Sequence, residues 1–241
     1  MPDFEEKDRL KLFFDGAFRL ESEEGEKRKE WFKSIISKYA KLNSGRALDI
    51  ACGTGISSFA LAECGFSVIG IDNNAQYLAL SKRYAKRLAY DCEFLLMDLR
   101  QISFPHNSFD LVAFLGDPLS LFPLNAIDLL MAKSFEILKT GGRIFLNYRD
   151  WIRISASKIE DEFKEIQGEK DFYLDTRTGK LVLVFHRGKM MKPQRFEFYL
   201  TSPFLVEFLL YKHGFADLEV IELETQGILF PEIVTTGTKP K

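Results

Sequence analysis

From Arg46 to Asn147 the chain alternates short apolar runs with helical patterns, and no other feature constrains its fold as tightly. The runs Ala47–Ala51, Ser67–Ile71, Cys92–Met97, Phe109–Leu115 and Arg143–Asn147 have the length of strands. Between them, Ile56–Ala62, Ala75–Ala89 and Asn125–Leu138 carry the helical period, with Gly65 closing the first helix and Gly141-Gly142 stopping the last. Strands alternating with helices of this size build βαβ units. They imply an α/β fold with a mainly parallel sheet and helices on both faces.

The alternation stops after Asn147. Trp151–Phe163 reads as a helix, Asp171–Arg187 as a hairpin turning at Thr176–Lys180, and Arg195–Thr201 as a further strand. Ser202 and Pro203 open a helix that runs to His213 and ends at Gly214. Ala216–Leu223 and Glu232–Thr238 then form a final antiparallel pair, which brings the main sheet to seven strands. Upstream, Leu10, Phe13, Phe14 and Phe18 give one amphipathic helical face, and Trp31, Phe32, Ile35, Ile36 and Tyr39 give another. The charged stretch Glu21–Glu30 between them reads as a solvated turn and helix start. The expected organisation is a helical cap over 1–45, a core over 46–149 and 202–241, and a β-rich lid over 150–201.

Composition narrows the partners. With 33 basic and 35 acidic side chains the net charge is −2, so a nucleic-acid partner held by phosphate neutralisation is not expected. The most apolar long stretch, Phe109–Ala132, is broken by Asp110, Asp117, Pro118, Pro123 and Asp128, so no membrane span is expected. The acidic start of the chain has no apolar leader, and the 3 cysteines, Cys52, Cys64 and Cys92, form no CxxC pair. These features point to a reducing, cytoplasmic setting. His106, His186 and His213 lack metal-ligand spacing, so no metal site is expected.

The first strand-to-helix turn reads Leu48-Asp49-Ile50-Ala51-Cys52-Gly53-Thr54-Gly55. Its glycines permit unusual torsions and close approach of a ligand to the backbone, and the helix they open favours negative charge at its start. Asp72, ending the next strand, is placed to accept both hydroxyl hydrogens of a ribose. The third glycine of a dinucleotide site is missing, since Gly55 is followed by Ile56, Ser57 and Ser58; this argues against an NAD-dependent oxidoreductase. Asp49 suits a ligand that carries an ammonium. A regulatory module that binds the cofactor without catalysis is a further reading.

These residues resemble the class I S-adenosylmethionine-dependent methyltransferases of the small-molecule type, whose fold is Rossmann-like. The likeness rests on Leu48–Gly55, Gly70-Ile71-Asp72, Met97-Asp98-Leu99, Ser108–Val112, Leu138–Arg143 and the unit around His213-Gly214-Phe215. It implies S-adenosyl-L-methionine as cofactor. Gly53 and Gly55 would meet its methionine part and Asp49 its ammonium; Asp72 would bind the ribose, with Asn73 flanking the adenine. Asp98 would accept from the adenine amino group, Leu99 would pack on the ring, and Leu115 would line the sulfonium region.

The acceptor of such an enzyme meets the cofactor where strands four and five end, at Leu115–Ser120 and Asn147–Trp151. Gly116-Asp117-Pro118-Leu119 is superficially similar to the loop of nucleic-acid amino-methyltransferases, but Leu119 stands where that loop has its stacking aromatic. Pro118 reads as a loop stop. Tyr148 would orient or deprotonate the acceptor, and Arg149 would clamp a carboxylate through its planar fork. This segment is faintly similar to that of glycine and sarcosine N-methyltransferases. The expected function is methyl transfer to a nitrogen or oxygen atom of a small molecule.

Overall fold

The computed structural model describes residues 21–156, 169–186, 194–223 and 232–241. The first apolar face (Leu10, Phe13, Phe14, Phe18), residues 157–163 of the expected helix and the His186 side chain lie outside that description.

Helix α1 (Glu23–Tyr39) starts at Ser22, whose hydroxyl accepts the Gly25 N–H at 3.0 Å. Then follow β1 (Gly45–Ile50), α2 (Ile56–Glu63), β2 (Phe66–Asp72), α3 (Ala75–Leu88), β3 (Cys92–Leu96), β4 (Phe109–Phe114), α4 (Leu124–Ile137) and β5 (Leu138–Arg149). A short helix α5 (Trp151–Ala156) leads to β6 (Glu169–Asp175), β7 (Lys180–His186) and β8 (Gln194–Tyr199). Helix α6 (Pro203–Lys212), β9 (Ala216–Leu223) and β10 (Glu232–Thr238) complete the core.

The main sheet has 7 strands in the order β3-β2-β1-β4-β5-β10-β9. Pairing is parallel from β3 through β5, and β10 runs antiparallel to both its neighbours. The expected sheet is the observed one. Its central strands read as continuous apolar runs because both faces are covered. On one face Ile127, Leu130 and Met131 of α4 and Leu209 and Leu210 of α6 pack over Leu48, Ile50, Val112 and Leu146. On the other, Phe32, Ile35 and Ile36 of α1 join Phe59 and Leu61 of α2 and Leu78 and Tyr84 of α3 over Ala47, Leu111 and Phe145.

Gly141 and Gly142 do not stop α4. Leu138 already pairs with Phe109, and the register then shifts so that Leu111 faces Arg143. The glycines form an irregularity inside β5: Gly141 has φ +78°, and a Cβ on Gly142 would lie 2.8 Å from the Lys139 carbonyl oxygen. Ser202 precedes α6 as expected, yet its hydroxyl accepts nothing from the helix backbone.

The insertion folds as a separate three-stranded antiparallel sheet, β6-β7-β8. Its small core joins Leu181, Leu183 and Phe198 to Trp151 and Ile154 of α5. The Trp151 ring stacks on Phe198 at 4.3 Å between centroids, and β8 packs on the turn at Pro118–Leu121, beyond the carboxyl end of β4.

Candidate active site

The strand order reverses between β1 and β4. In open α/β sheets the crevice outside the carboxyl ends at such a point is where ligands bind. Asp49, near the end of β1, is almost fully buried, and its Oδ2 accepts hydrogen bonds from the hydroxyls of Ser57 and Ser58, both at 2.6 Å. Its Oδ1 is buried with no hydrogen-bond partner. Burial pushes the carboxyl up to about 6, against the two hydroxyls that hold it down. A buried carboxylate oxygen left open in this way fits a cation or a bound water.

The two glycines of the turn differ in what they do. Gly53 has φ +54°, and a Cβ there would meet nothing within 4 Å. Space is therefore open beside its backbone. Gly55 differs: at φ +87° its missing Cβ would lie 2.9 Å from the Phe94 ring. Gly55 serves the packing of the turn against β3, which leaves Gly53 as the open glycine of the turn. Helix α2 then begins with no side-chain cap and no acid in its first turn.

Asp72 ends β2 with each oxygen bound once, Oδ2 by the Gly53 N–H at 2.9 Å and Oδ1 by the Asn74 N–H at 2.8 Å. The ribose candidate is thus tied to the glycine turn, and each oxygen keeps a lone pair for a ligand hydroxyl. Asn73 beside it is exposed. Asn74, unremarked in the sequence, caps α3 by accepting from Gln76 and Tyr77.

Asp98, two residues beyond β3, caps the following turn and pairs with Arg100, which holds its carboxyl down to about 2. Leu99 is buried in the core beneath the sheet, and Leu115 is buried in the cluster on the opposite face. Both sit near the crevice in sequence but spend most of their surface on packing.

Across the switch point the carboxyl ends of β4, β5 and the start of β10 carry a cluster of charges. Asp117, at φ +66°, is buried; its Oδ1 accepts the Arg149 N–H at 3.1 Å and its Oδ2 the Trp151 Nε1–H at 2.7 Å. Burial pushes its carboxyl up to about 6 despite Arg149. Glu232, directly opposite Arg149 in the β5–β10 register, is 2% exposed. Its Oε1 accepts from Arg28 at 3.0 Å, and its Oε2 accepts from Asn147 Nδ2 at 2.8 Å. Burial would raise the Glu232 carboxyl, but Arg28 and Arg149 outweigh it and hold it below the usual range.

This arrangement corrects both acceptor-side expectations. Tyr148 points to the other face of the sheet, fully buried in the core, with its hydroxyl 2.8 Å from Thr235 Oγ1. Burial pushes that phenol far up, so it neither reaches an acceptor nor gives up a proton. Successive strand residues alternate faces, and Asn147 and Arg149 are the ones that face the cluster. Arg149 is not a clamp awaiting a carboxylate, because its guanidinium lies 3.6 Å from Asp117 Oδ2 and 3.6 Å from Glu232 Oε1.

The sequence reading missed Arg28, Asn147 and Glu232, and took Asp117 only as part of a loop. Arg28 falls in the stretch read as a solvated face, yet it reaches Glu232 and lies over the rings of Trp31 at 4.2 Å and Phe32 at 4.6 Å. Its neighbour Lys29 is buried as well, paired with Glu63 at 2.8 Å. The available signal was spacing: Gly25, Lys29 and Phe32 share one helical face, and all are buried. His213 pairs with Asp128 at 2.7 Å, while His106 is exposed. Among the described residues no group of His, Cys, Asp or Glu is placed to hold a metal ion, and no helix is long and apolar enough to cross a membrane.

Comparison with known proteins agrees with this geometry. Residues 47–142 match the family described as "Methyltransferase domain". The chain is similar to the cypemycin N-terminal methyltransferase of Streptomyces sp., at 33% identity over 116 residues, which is 48% of this chain and 46% of that protein. It is also similar to human glycine N-methyltransferase, at 25% identity over 170 residues, covering 64% and 57% of the two chains. The chain thus spans about half the length of the curated relatives it matches. Among solved structures, the PH0226 protein of Pyrococcus horikoshii OT3 superposes with a TM-score of 0.76 at 25% identity, covering 99% of this chain and 100% of that one. Residues 47–142 therefore carry a methyltransferase domain, set in the Rossmann-like sheet that the solved structure from Pyrococcus horikoshii OT3 shares.

Proposed function

We propose that the protein transfers a methyl group from S-adenosylmethionine to a nitrogen or oxygen atom of a small-molecule acceptor. The observation that carries this reading is the unpartnered Asp49 Oδ1, a buried acid on the strand that leads into a glycine turn, where a Cβ on Gly53 would meet nothing within 4 Å. Asp49 would hold the cofactor's ammonium, and the uncapped start of α2 would favour its carboxylate. Asp72 would take the ribose hydroxyls, while Asp98 and Asn73 would flank the adenine. The cofactor supplies the activated methyl group; the chain orients the partners and excludes water.

The acceptor would lie on the β4–β5 side, walled by Asp117 and Arg149. Tyr148 has no part in this reading. The three-stranded sheet acts as a lid: Trp151 links it to Asp117 through one hydrogen bond and to Phe198 through stacking. Helix α1, the described part of the helical cap, reaches the same side through Arg28. Of the named relatives, the human one is a glycine N-methyltransferase, which favours nitrogen. The near-neutral charge favours a small acceptor over nucleic acid. Three free cysteines support a cytoplasmic setting, which cell fractionation would check.

Calorimetry tests the cofactor: S-adenosylhomocysteine should bind and NAD should not at the same concentration. Transfer of labelled methyl into a fractionated small-molecule pool then tests the acceptor class. Label that appears only in protein or nucleic acid would overturn it.

A further inference from the structure

We propose that Glu232 sets the acceptor specificity, as a carboxylate of the chain itself seated between the guanidinium groups of Arg28 and Arg149, which closes this pocket to acceptors bearing a free carboxylate. The inference rests on the methyltransferase reading and adds to it the chemical class that the acceptor side refuses.

Both arginines address the same oxygen, Glu232 Oε1, Arg28 at 3.0 Å and Arg149 at 3.6 Å. The other oxygen is fixed by Asn147 Nδ2 at 2.8 Å, and Asn147 Oδ1 accepts the Gly116 N–H at 3.1 Å. Glu232 is therefore oriented by the turn that leaves β4, where the acceptor would meet the methyl group. Arg28 is held from α1 by its cation–π contacts with Trp31 and Phe32. With Asp117 as the second acid, the cluster holds two cations and two carboxylates, all largely buried.

A matched cluster of this kind has no spare positive charge. A further carboxylate would enter a buried site without a counter-ion, a penalty that its hydrogen bonds do not offset. Specificity obtained by refusing one class of ligand is as effective as added contact to another. The pocket thus favours an acceptor whose group facing Arg149 is uncharged or cationic. Removing the Glu232 charge should convert the same arginines into a carboxylate receptor.

The test uses the full chain with S-adenosylhomocysteine, with acetate as probe and acetamide as its uncharged counterpart. Thermal unfolding and ligand-observed NMR are followed at constant ionic strength. The wild-type protein should show no saturable response to acetate. Glu232→Ala should be stabilised saturably by acetate, with at least tenfold preference over acetamide, and the added change Arg149→Met should abolish the response. If the alanine variant fails to fold, Glu232→Gln keeps the shape and removes the charge, and it should gain the same preference. The proposal is overturned if the wild-type protein binds acetate as tightly as the variants. It is equally overturned if a folded variant that binds S-adenosylhomocysteine normally ignores acetate, which is what a purely structural ion pair predicts. Failure of the wild-type protein to bind S-adenosylhomocysteine would instead sink the methyltransferase reading, and the acetate titration would still report on the arginine pair.

Discussion

The two halves of the sheet's carboxyl edge treat their charges in opposite ways. On the β1–β2 side, Asp49 keeps one buried oxygen without a partner, and each oxygen of Asp72 is bound only once. On the β4–β5–β10 side, Asp117 and Glu232 are surrounded by Arg28, Arg149, Asn147 and Trp151. The first half leaves hydrogen-bonding capacity unmet. The second already pairs two carboxylates with two guanidinium groups. Unmet hydrogen-bonding capacity, more than the mere presence of acids, distinguishes a binding surface from a permanent ion cluster.

The largest expected effect lies on the open side. Asp72→Ala should remove two hydrogen bonds to the ribose and release the Gly53 and Asn74 amides. At about 1.5–3 kcal/mol for each charged hydrogen bond, S-adenosylhomocysteine affinity should fall by more than about a hundredfold. Calorimetry that finds the affinity unchanged would place the ribose elsewhere. On the closed side the parallel change, Asp117→Asn, should act on the fold. It leaves Arg149 short of a counter-ion and can set an amide N–H against the Trp151 Nε1–H, so denaturant unfolding should show a loss of about 3 kcal/mol. Cofactor affinity should change far less. A reversal of the two outcomes would erase the distinction between the halves.

The two glycines sharpen the same comparison within a single turn. Gly55→Ala places a Cβ 2.9 Å from the Phe94 ring at φ +87° and should cost about 2 kcal/mol of stability even without ligand. Gly53→Ala meets no atom within 4 Å. Its stability cost should be limited to about 1 kcal/mol for the left-handed torsion, with a larger loss in cofactor affinity. Equal effects of the two on affinity would mean that Gly55 also faces the ligand.

The open half was legible in the sequence and the closed half was not, for a physical reason. Asp49, Gly53 and Asp72 belong to strand ends and a turn whose positions follow from alternation and local torsions. The cluster around Glu232 joins Arg28 to a residue 204 positions away, and only the β5–β10 register brings Arg149 to face it. Even the parity of β5 mattered: the irregular start at Leu138–Arg143 obscures which of Tyr148 and Arg149 looks into the crevice. The fold itself was readable because its strands are apolar runs between turn signals, whereas the end of α4 was misplaced because glycines can bend a strand as well as stop a helix.

The smallest effect is the dependence on pH, and it separates the two functions that Asp49 combines. In the unfolded chain its carboxyl titrates near 3.8, and in the fold near 6, with Asp117 shifted in the same way. Between these values the folded protein holds more protons than the unfolded one, so these two groups stabilise the ligand-free fold toward pH 4. Their contribution falls as pH rises to about 6 and then levels off. Binding of the cofactor's ammonium runs the other way, because it requires the ionised Asp49. Affinity for S-adenosylhomocysteine should therefore drop about tenfold from pH 7 to pH 5, while the ligand-free protein gains stability from these acids over the same interval. Asp49→Asn keeps the acceptor for Ser57 and Ser58 but has no charge to lose, so its weaker binding should be flat across that range. A wild-type affinity that is also flat would mean that the ammonium is held by another group, and the open oxygen of Asp49 would then mark a water site.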